Sequence, residues 1–199
     1  PKTVPWLAPS EYRVPRHPAP QDLRLDGNEG QPPALSGEDL SRLIDEVSLR
    51  QYPDASTLEA LIADQYGLEP DSVLVTAGGD DGLMRMCRAF LGPKRGIVLP
   101  IPTFEMIKRY ADDCQAPIVS VPWSQPEYPT ESVLSVVDDS TAVIAVVSPN
   151  NPTGGVAAPA DLLRLSTEAP GAMLMVDCAY SEFADQDLTE TALTLPNAL

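Results

Sequence analysis

Histidine is nearly absent from this chain: His17 is the single one among 199 residues, and it sits in a proline-flanked stretch. A Ser-His-Asp triad or a histidine-rich metal centre would have to be built on that one side chain, so neither is expected. Cysteine is scarce as well. Cys87, Cys114 and Cys178 lie too far apart for metal-ligand spacing and read as buried free thiols in a reducing compartment. Basic charge is short, with 13 Lys and Arg against 29 Asp and Glu and a formal net charge of -16. Nucleic-acid binding needs Lys/Arg clusters, so that partner is excluded, and the acid surplus serves solubility. A small anionic ligand is not excluded, because a nest of backbone N–H groups can hold phosphate. No apolar run is long enough to span a bilayer, and Pro1 to Pro20 lacks the apolar core of a signal peptide. A cytoplasmic protein with no membrane partner is the expectation. Carboxylates and amides remain as the supply of chemistry.

What is present points to a layered fold. At 43% hydrophobic the chain can fill one sizeable core, with room for a small satellite. Pro1 to Pro33 reads as an extended arm with one short strand at Leu23 to Leu25. Ser36 opens a helix with Leu40, Leu43, Ile44 and Val47 on one face. After a break at Gln51 to Asp54, Ser56 to Glu59 reads as a capping box. It starts a helix with Leu58, Leu61 and Ile62 inward, stopping at Gly67. Strands are then expected at Val73 to Thr76, Gly96 to Leu99, Ile118 to Val121, Ala142 to Val147 and Met173 to Val176. Helices are expected between them at Asp80 to Leu91, Thr103 to Cys114, Thr130 to Val137 and Pro159 to Glu168. Such alternation means an α/β domain with a largely parallel sheet flanked by helices. The composition shifts near residue 50, giving an N-terminal arm and small-domain segment over 1–50 and an α/β body over 51–199.

Three turns after strands carry unusual residues. Ala77 to Gly82 reads AGGDDG ahead of a helix, where backbone N–H groups and the helix dipole favour an anion. Ser148 to Gly155 reads SPNNPTGG. Asp177-Cys178-Ala179-Tyr180 puts a carboxylate directly after an apolar strand, which is costly to bury unless paired. Each has an ordinary structural use as well: Asp80 as a helix cap, Asn151 bonding its own backbone, Asp177 capping the next turn. Together and in this order they are far more specific.

The combination resembles the fold type I, pyridoxal-phosphate-dependent aminotransferases, and most nearly their histidinol-phosphate aminotransferase branch. Leu25-Asp26-Gly27-Asn28-Glu29, Gln51-Tyr52-Pro53-Asp54, Asn150-Asn151-Pro152-Thr153-Gly154 and Asp177-Cys178-Ala179-Tyr180 carry the resemblance, with Gly79-Asp80 and Pro102-Thr103-Phe104 between them. It implies the three-layer large domain of that fold and pyridoxal 5'-phosphate as cofactor. It further implies that Asp177 pairs with the pyridine nitrogen and that Asn151 and Tyr180 hydrogen-bond the phenolic oxygen. The backbone N–H groups of Gly79 and Asp80 would hold the phosphate, and Phe104 would stack on the ring. Tyr52 would reach the phosphate of a neighbouring subunit, which makes the expected assembly a homodimer. Asn28 would lie in the segment that closes over an amino-acid or amino-phosphate substrate and a 2-oxo acid. Gly30-Gln31-Pro32-Pro33 departs from the family's usual continuation there, as do Cys178, where Glu is usual, and Phe104, where Tyr is common.

The family's Schiff-base lysine follows the Asp-x-Ala-Tyr segment. The chain's lysines, Lys2, Lys94 and Lys108, all precede that segment. The lysine is therefore expected beyond Leu199, and the chain reads as a fragment of a longer enzyme that transaminates histidinol phosphate with 2-oxoglutarate. A threonine-phosphate decarboxylase or an aromatic aminotransferase is the alternative on the same fold, and a non-catalytic cofactor-binding or interaction domain is the alternative of another class. A sheet cut short leaves an unpaired edge and an exposed apolar face. Residues 1–199 alone are thus expected to aggregate or to need a partner; a monodisperse, cooperatively melting monomer in size-exclusion and calorimetric measurements would contradict this.

Overall fold

The computed structural model describes residues 36–44, 46 and 49–199. The chain divides into two compact units, 1–54 and 55–199. In the first, α1 (Gly37–Leu43) is capped as the sequence suggests. The Ser36 Oγ accepts the Asp39 N–H while the Asp39 carboxylate accepts the Ser36 N–H. Its expected inner face is not buried: Leu40, Leu43 and Ile44 are exposed. Val47 and the strand expected at Leu23 to Leu25 lie outside the described residues.

The second unit opens with α2 (Ser56–Tyr66), closed by Gly67 in the left-handed conformation at φ 66°. The capping box expected here does not form. Ala55 is the N-cap, Ser56 is already helical, and the Glu59 carboxylate instead accepts the Val75 N–H at 3.0 Å. That bond ties the helix to the segment expected to be a strand. Val73 to Thr76 is not one: it has no ladder partner among the described residues, and Leu74 is exposed. β-branched composition favours a strand only where a neighbour supplies the other half of the hydrogen bonds. Leu58 and Leu61 are exposed for a related reason, since only Ala63 of α2 is buried within this unit.

The remaining strands and helices form in the expected order, except that the helix expected over Thr130 to Val137 stops at Leu134 and the helix Thr189–Leu193 was not expected. α3 (Gly78–Phe90) precedes β1 (Gly96–Ile101), then α4 (Glu105–Asp113), β2 (Ile118–Pro122), α5 (Thr130–Leu134), β3 (Thr141–Val147), α6 (Pro159–Glu168), β4 (Met173–Asp177) and α7 (Thr189–Leu193). All strand pairs are parallel and the order is β2-β1-β3-β4. β3 is buried along its whole length, as a parallel strand covered on both faces must be. Its side chains alternate between two cores. Val143, Ala145 and Val147 join Leu83 and Cys87 of α3 and Ile107 and Ala111 of α4. Ile144 and Val146 join Val133 of α5 and Leu162 and Leu165 of α6. The unit is thus three layers with the sheet in the middle. Burial pushes the Cys87 thiol up to about 12, so it is an inert core residue.

The strand order places a switch point between β1 and β3, because the chain steps from β1 outward to β2 and from β3 outward to β4. Loops leaving the carboxyl ends of β1 and β3 diverge there and leave a crevice. Proline widens it. The Ile97 N–H donates to Pro117 and the Ile101 carbonyl accepts from Trp123, so odd positions of β1 face β2 and even positions face β3. Pro100 therefore turns toward β3 and has no hydrogen to give. The β1–β3 register accordingly runs to Val98–Ile144, while β1–β2 continues to Ile101–Pro122.

At the other edge the last residues add to β4: the Leu174 N–H donates to Asn197, the Leu199 N–H to Leu174, and the Val176 N–H to Leu199. The buried Asn197 amide holds this segment by donating to the carbonyls of Ala169 and Ala172. Gly96 marks the tightest approach within the sheet, since a Cβ there would lie 2.8 Å from the Pro117 carbonyl oxygen. Gly96→Ala is expected to cost about 1–3 kcal/mol through a forced shift of β1 against β2, read as a lower urea midpoint at unchanged slope.

Candidate functional site

The crevice at the strand ends opens into a pocket of about 320 Å³. That falls within the range of small-molecule sites, roughly 300–1,000 Å³. Four segments line it: Ala77 to Asp80 with Leu83 from the start of α3, Phe104 from the turn after β1, Val147 and Asn151 from the end of β3, and Asp177, Ala179 and Tyr180 from the end of β4. All six residues expected from the body of the sequence, Gly79, Asp80, Phe104, Asn151, Asp177 and Tyr180, thus meet in one cavity. Tyr52 belongs to the other unit and is exposed there, and Asn28 lies outside the described residues.

One end of the pocket is built from backbone. Gly78 begins α3 at φ 79°, a conformation that favours glycine, and donates its N–H to the Thr76 carbonyl. The N–H groups of Gly79 and Asp80 in the first turn have no acceptor within the helix. An ideal Cβ on Gly78 or Gly79 would meet nothing within 4 Å, so the approach to those groups is open. Asp80 is not the cap: Ala77 is the N-cap, and Asp81 closes the turn by accepting the Ala77 N–H at 3.1 Å. The second Asp81 oxygen accepts from the Arg85 guanidinium, which balances its charge and lowers its pKa. A helix N-terminus with free N–H groups and a favourable dipole suits a phosphate.

A carboxylate faces the same pocket. Asp177 closes β4, directly beside Val147 in the register. It is partly buried, and one of its oxygens accepts the Ala179 N–H at 3.0 Å, the turn-capping bond its position allows. Burial raises its pKa, the Ala179 bond offsets part of that, and the nearby Asp80 charge adds to it. A carboxylate held against its own desolvation calls for a cationic partner. Phe104 is the N-cap of α4, packs on the α3/α4 side of the core and lines the pocket. Tyr180 opens the short 3-10 turn Ser181–Phe183 that follows β4. Together the parts fit a flat, anion-bearing molecule with a basic nitrogen: first-turn N–H donors, an unbalanced acid, an aromatic side chain, an amide and a phenol line one cavity.

Three features escaped the sequence reading. Leu83 and Val147 supply the apolar wall, and nothing local marks them as site residues rather than core. Asn150, the other half of the Asn-Asn pair, turns inward: it is 3% exposed and bonds both the Pro102-Thr103 turn and Thr153. Gly155 backs the same turn, and a Cβ on it would meet the Trp123 ring at 2.9 Å. Among the described residues no His/Cys/Asp/Glu cluster could hold a metal and no helix is long and apolar enough to cross a membrane.

Comparison with known proteins agrees with this geometry. The family model described as aminotransferase class I and II matches residues 6–198. A histidinol-phosphate aminotransferase of Thermococcus gammatolerans is 34% identical over 181 residues, covering 88% of this chain and 52% of that protein. Among solved structures, histidinol-phosphate aminotransferase from Sinorhizobium meliloti in complex with pyridoxal-5'-phosphate matches with a TM-score of 0.63 at 22% identity, over 74% of this chain and 42% of that one. L-threonine-O-3-phosphate decarboxylase from Porphyromonas gingivalis matches with a TM-score of 0.65 at 21% identity, over 80% and 49%. The structural likenesses establish the fold. The chain spans about half the length of the curated relatives it matches.

The raised pKa of Asp177 has a stability consequence. Ionising it is harder folded than unfolded, so its charge costs stability above the folded pKa, and the cost is gone once pH falls below the unfolded value. Asp177→Asn in ligand-free protein is therefore expected to raise the melting temperature at neutral pH, with the difference shrinking as pH falls through the folded pKa toward the unfolded value of 3.8. Melting curves across that range check the sign.

Proposed function

The chain belongs to the aminotransferase class I and II family, and from that premise we propose that the intact protein is a pyridoxal-phosphate-dependent aminotransferase acting on histidinol phosphate and 2-oxoglutarate. The observation that carries the reading is the partly buried Asp177 carboxylate, facing the same cavity as the open first turn of α3. The substrate choice is supported by the relatives that bear that name. The Schiff-base lysine is assigned to the part of the protein that follows this chain, and a cytoplasmic homodimer is proposed, with Tyr52 reaching the neighbouring subunit's phosphate.

In this reading Gly79 and Asp80 donate backbone N–H groups to the cofactor phosphate at the α3 dipole. Asp177 holds a proton on the pyridine nitrogen, and the ion pair relieves the strain of its burial. Asn151 and Tyr180 would hold the phenolic oxygen by hydrogen bonds, and Phe104 would supply an aromatic surface for the ring. When bound, the cofactor supplies an electron sink for the pair left at the substrate α-carbon. Everything these residues do is to orient that sink and keep it protonated.

Purified with pyridoxal phosphate, the intact protein is expected to show a visible absorption band that borohydride removes, and to form glutamate from histidinol phosphate and 2-oxoglutarate. Asp177→Asn should weaken cofactor binding by about 30-fold or more, the loss of roughly 2 kcal/mol from a desolvated charge pair. A protein without the band overturns the cofactor reading. Carbon dioxide release from threonine phosphate in place of glutamate formation overturns both the substrate and the transamination and leaves the cofactor reading standing.

A further inference from the structure

We propose that Asn150 is a positioning residue that sets the spacing between Phe104 and Asn151 across the cofactor pocket. Its side chain is 3% exposed and every polar group on it is used. The amide oxygen accepts the Thr103 hydroxyl at 2.6 Å. The amide nitrogen donates to the Pro102 carbonyl at 2.9 Å and to the Thr153 hydroxyl at 2.8 Å. Its backbone N–H donates to Gly155 and its carbonyl accepts from Gly154. One amide thus bridges the turn after β1 to the turn after β3.

The two turns are the ones that diverge at the switch point, and the β1–β3 ladder has already ended below them, at Val98–Ile144. No further β1–β3 strand pairing registers one turn against the other at this level. Asn150 supplies that connection with side-chain bonds to residues 47 and 48 positions away in sequence. Each turn presents a pocket residue immediately next to its bonded one: Phe104 follows Thr103, and Asn151 follows Asn150. Within the reading proposed above, those two residues meet the face and the phenolic edge of the ring. None of these hydrogen bonds reaches α3, whose first turn lines the same pocket. A fault at Asn150 should therefore loosen the ring and leave the phosphate end intact.

The chemistry requires an amide. Asn150→Asp keeps the shape of the side chain but aims an acceptor at the Pro102 carbonyl, leaving two acceptors facing each other in a buried site. Thr103→Val removes one bond without adding charge, and Thr103→Ser keeps it.

The inference rests on the cofactor reading, so the test separates the two. Asn150→Asp, Thr103→Val and Thr103→Ser are made in the intact protein, and pyridoxal phosphate and inorganic phosphate are titrated into each. Asn150→Asp is expected to weaken pyridoxal phosphate roughly tenfold or more, and to shift or flatten the visible circular dichroism of the bound ring. Affinity for inorganic phosphate should stay within about twofold of wild type, since α3 is untouched. Thr103→Val should move the same two signals in the same direction, and Thr103→Ser should restore them. In the apoprotein, amide exchange at 103–104, 150–151 and 153–155 should speed up together in Asn150→Asp and Thr103→Val. Should Asn150→Asp fail to fold, the Thr103 pair carries the comparison. Wild-type dichroism and affinity in Asn150→Asp or Thr103→Val overturn the assignment while leaving the cofactor reading standing. Equal loss of pyridoxal phosphate and inorganic phosphate makes the role a general structural one and also overturns it. A wild-type protein that does not bind pyridoxal phosphate overturns both.

Discussion

The pairing of Val147 with Asp177 is the constraint from which the pocket follows. The Ser148 N–H donates to the Asp177 carbonyl at 3.0 Å, so the two strands end level, and whatever follows each must leave from the same height. From β3 that is the Ser-Pro-Asn-Asn turn; from β4 it is the carboxylate itself. A slip of one residue would turn Asp177 to the other face of the sheet, toward the α5/α6 core, where it would have no solvent and no partner. The register is enforced by the apolar residues below it. Ile144, Val146 and Leu174 have to face one core while Val143, Ala145 and Met175 face the other.

The site reconciles an acidic protein with an anionic ligand by separating the two kinds of charge. The excess carboxylates are on side chains, and most of those are solvated or paired, as Asp81 is with Arg85. The open first turn of α3 offers main-chain N–H groups, which carry partial charge whatever the composition, and among the described residues no cationic side chain lines the pocket. Asp177 is the opposite case. Its charge is of ordinary sign for this protein but is held where water cannot fully reach it, which is what gives it something to do. Asp80 adds to that pressure from across the pocket.

Much of this was readable in the residues because the strands and their following turns are local features. Ala142 to Val147, Met173 to Val176 and the proline-started helix at Pro159 each carry their own signal, and the structure places them within a residue of the expected ends. What was misread depended on partners. Val73 to Thr76 has the composition of a strand and no neighbour to pair with among the described residues. Ser56 and Glu59 have capping-box spacing, but the Glu59 carboxylate found the Val75 N–H instead. The amphipathic stripes of the first two helices are real in sequence and stay uncovered within their own units. In the Asn-Asn pair, nothing in the dipeptide says which amide faces the cavity's interior and which is consumed as a brace; only the position of the Pro102-Thr103 turn decides it.

Pro100 bears on how such a protein can change. The crevice between β1 and β3 follows from the strand order, and the main-chain hydrogen missing at Pro100 lets the ladder between them stop short of it. Residues lining it can then be exchanged over evolutionary time without the opening itself being lost. What the cavity accepts is written in replaceable side chains, whereas the fact that there is a cavity is written in the order of the strands. A lineage can redirect such a site to a new substrate by ordinary point substitutions.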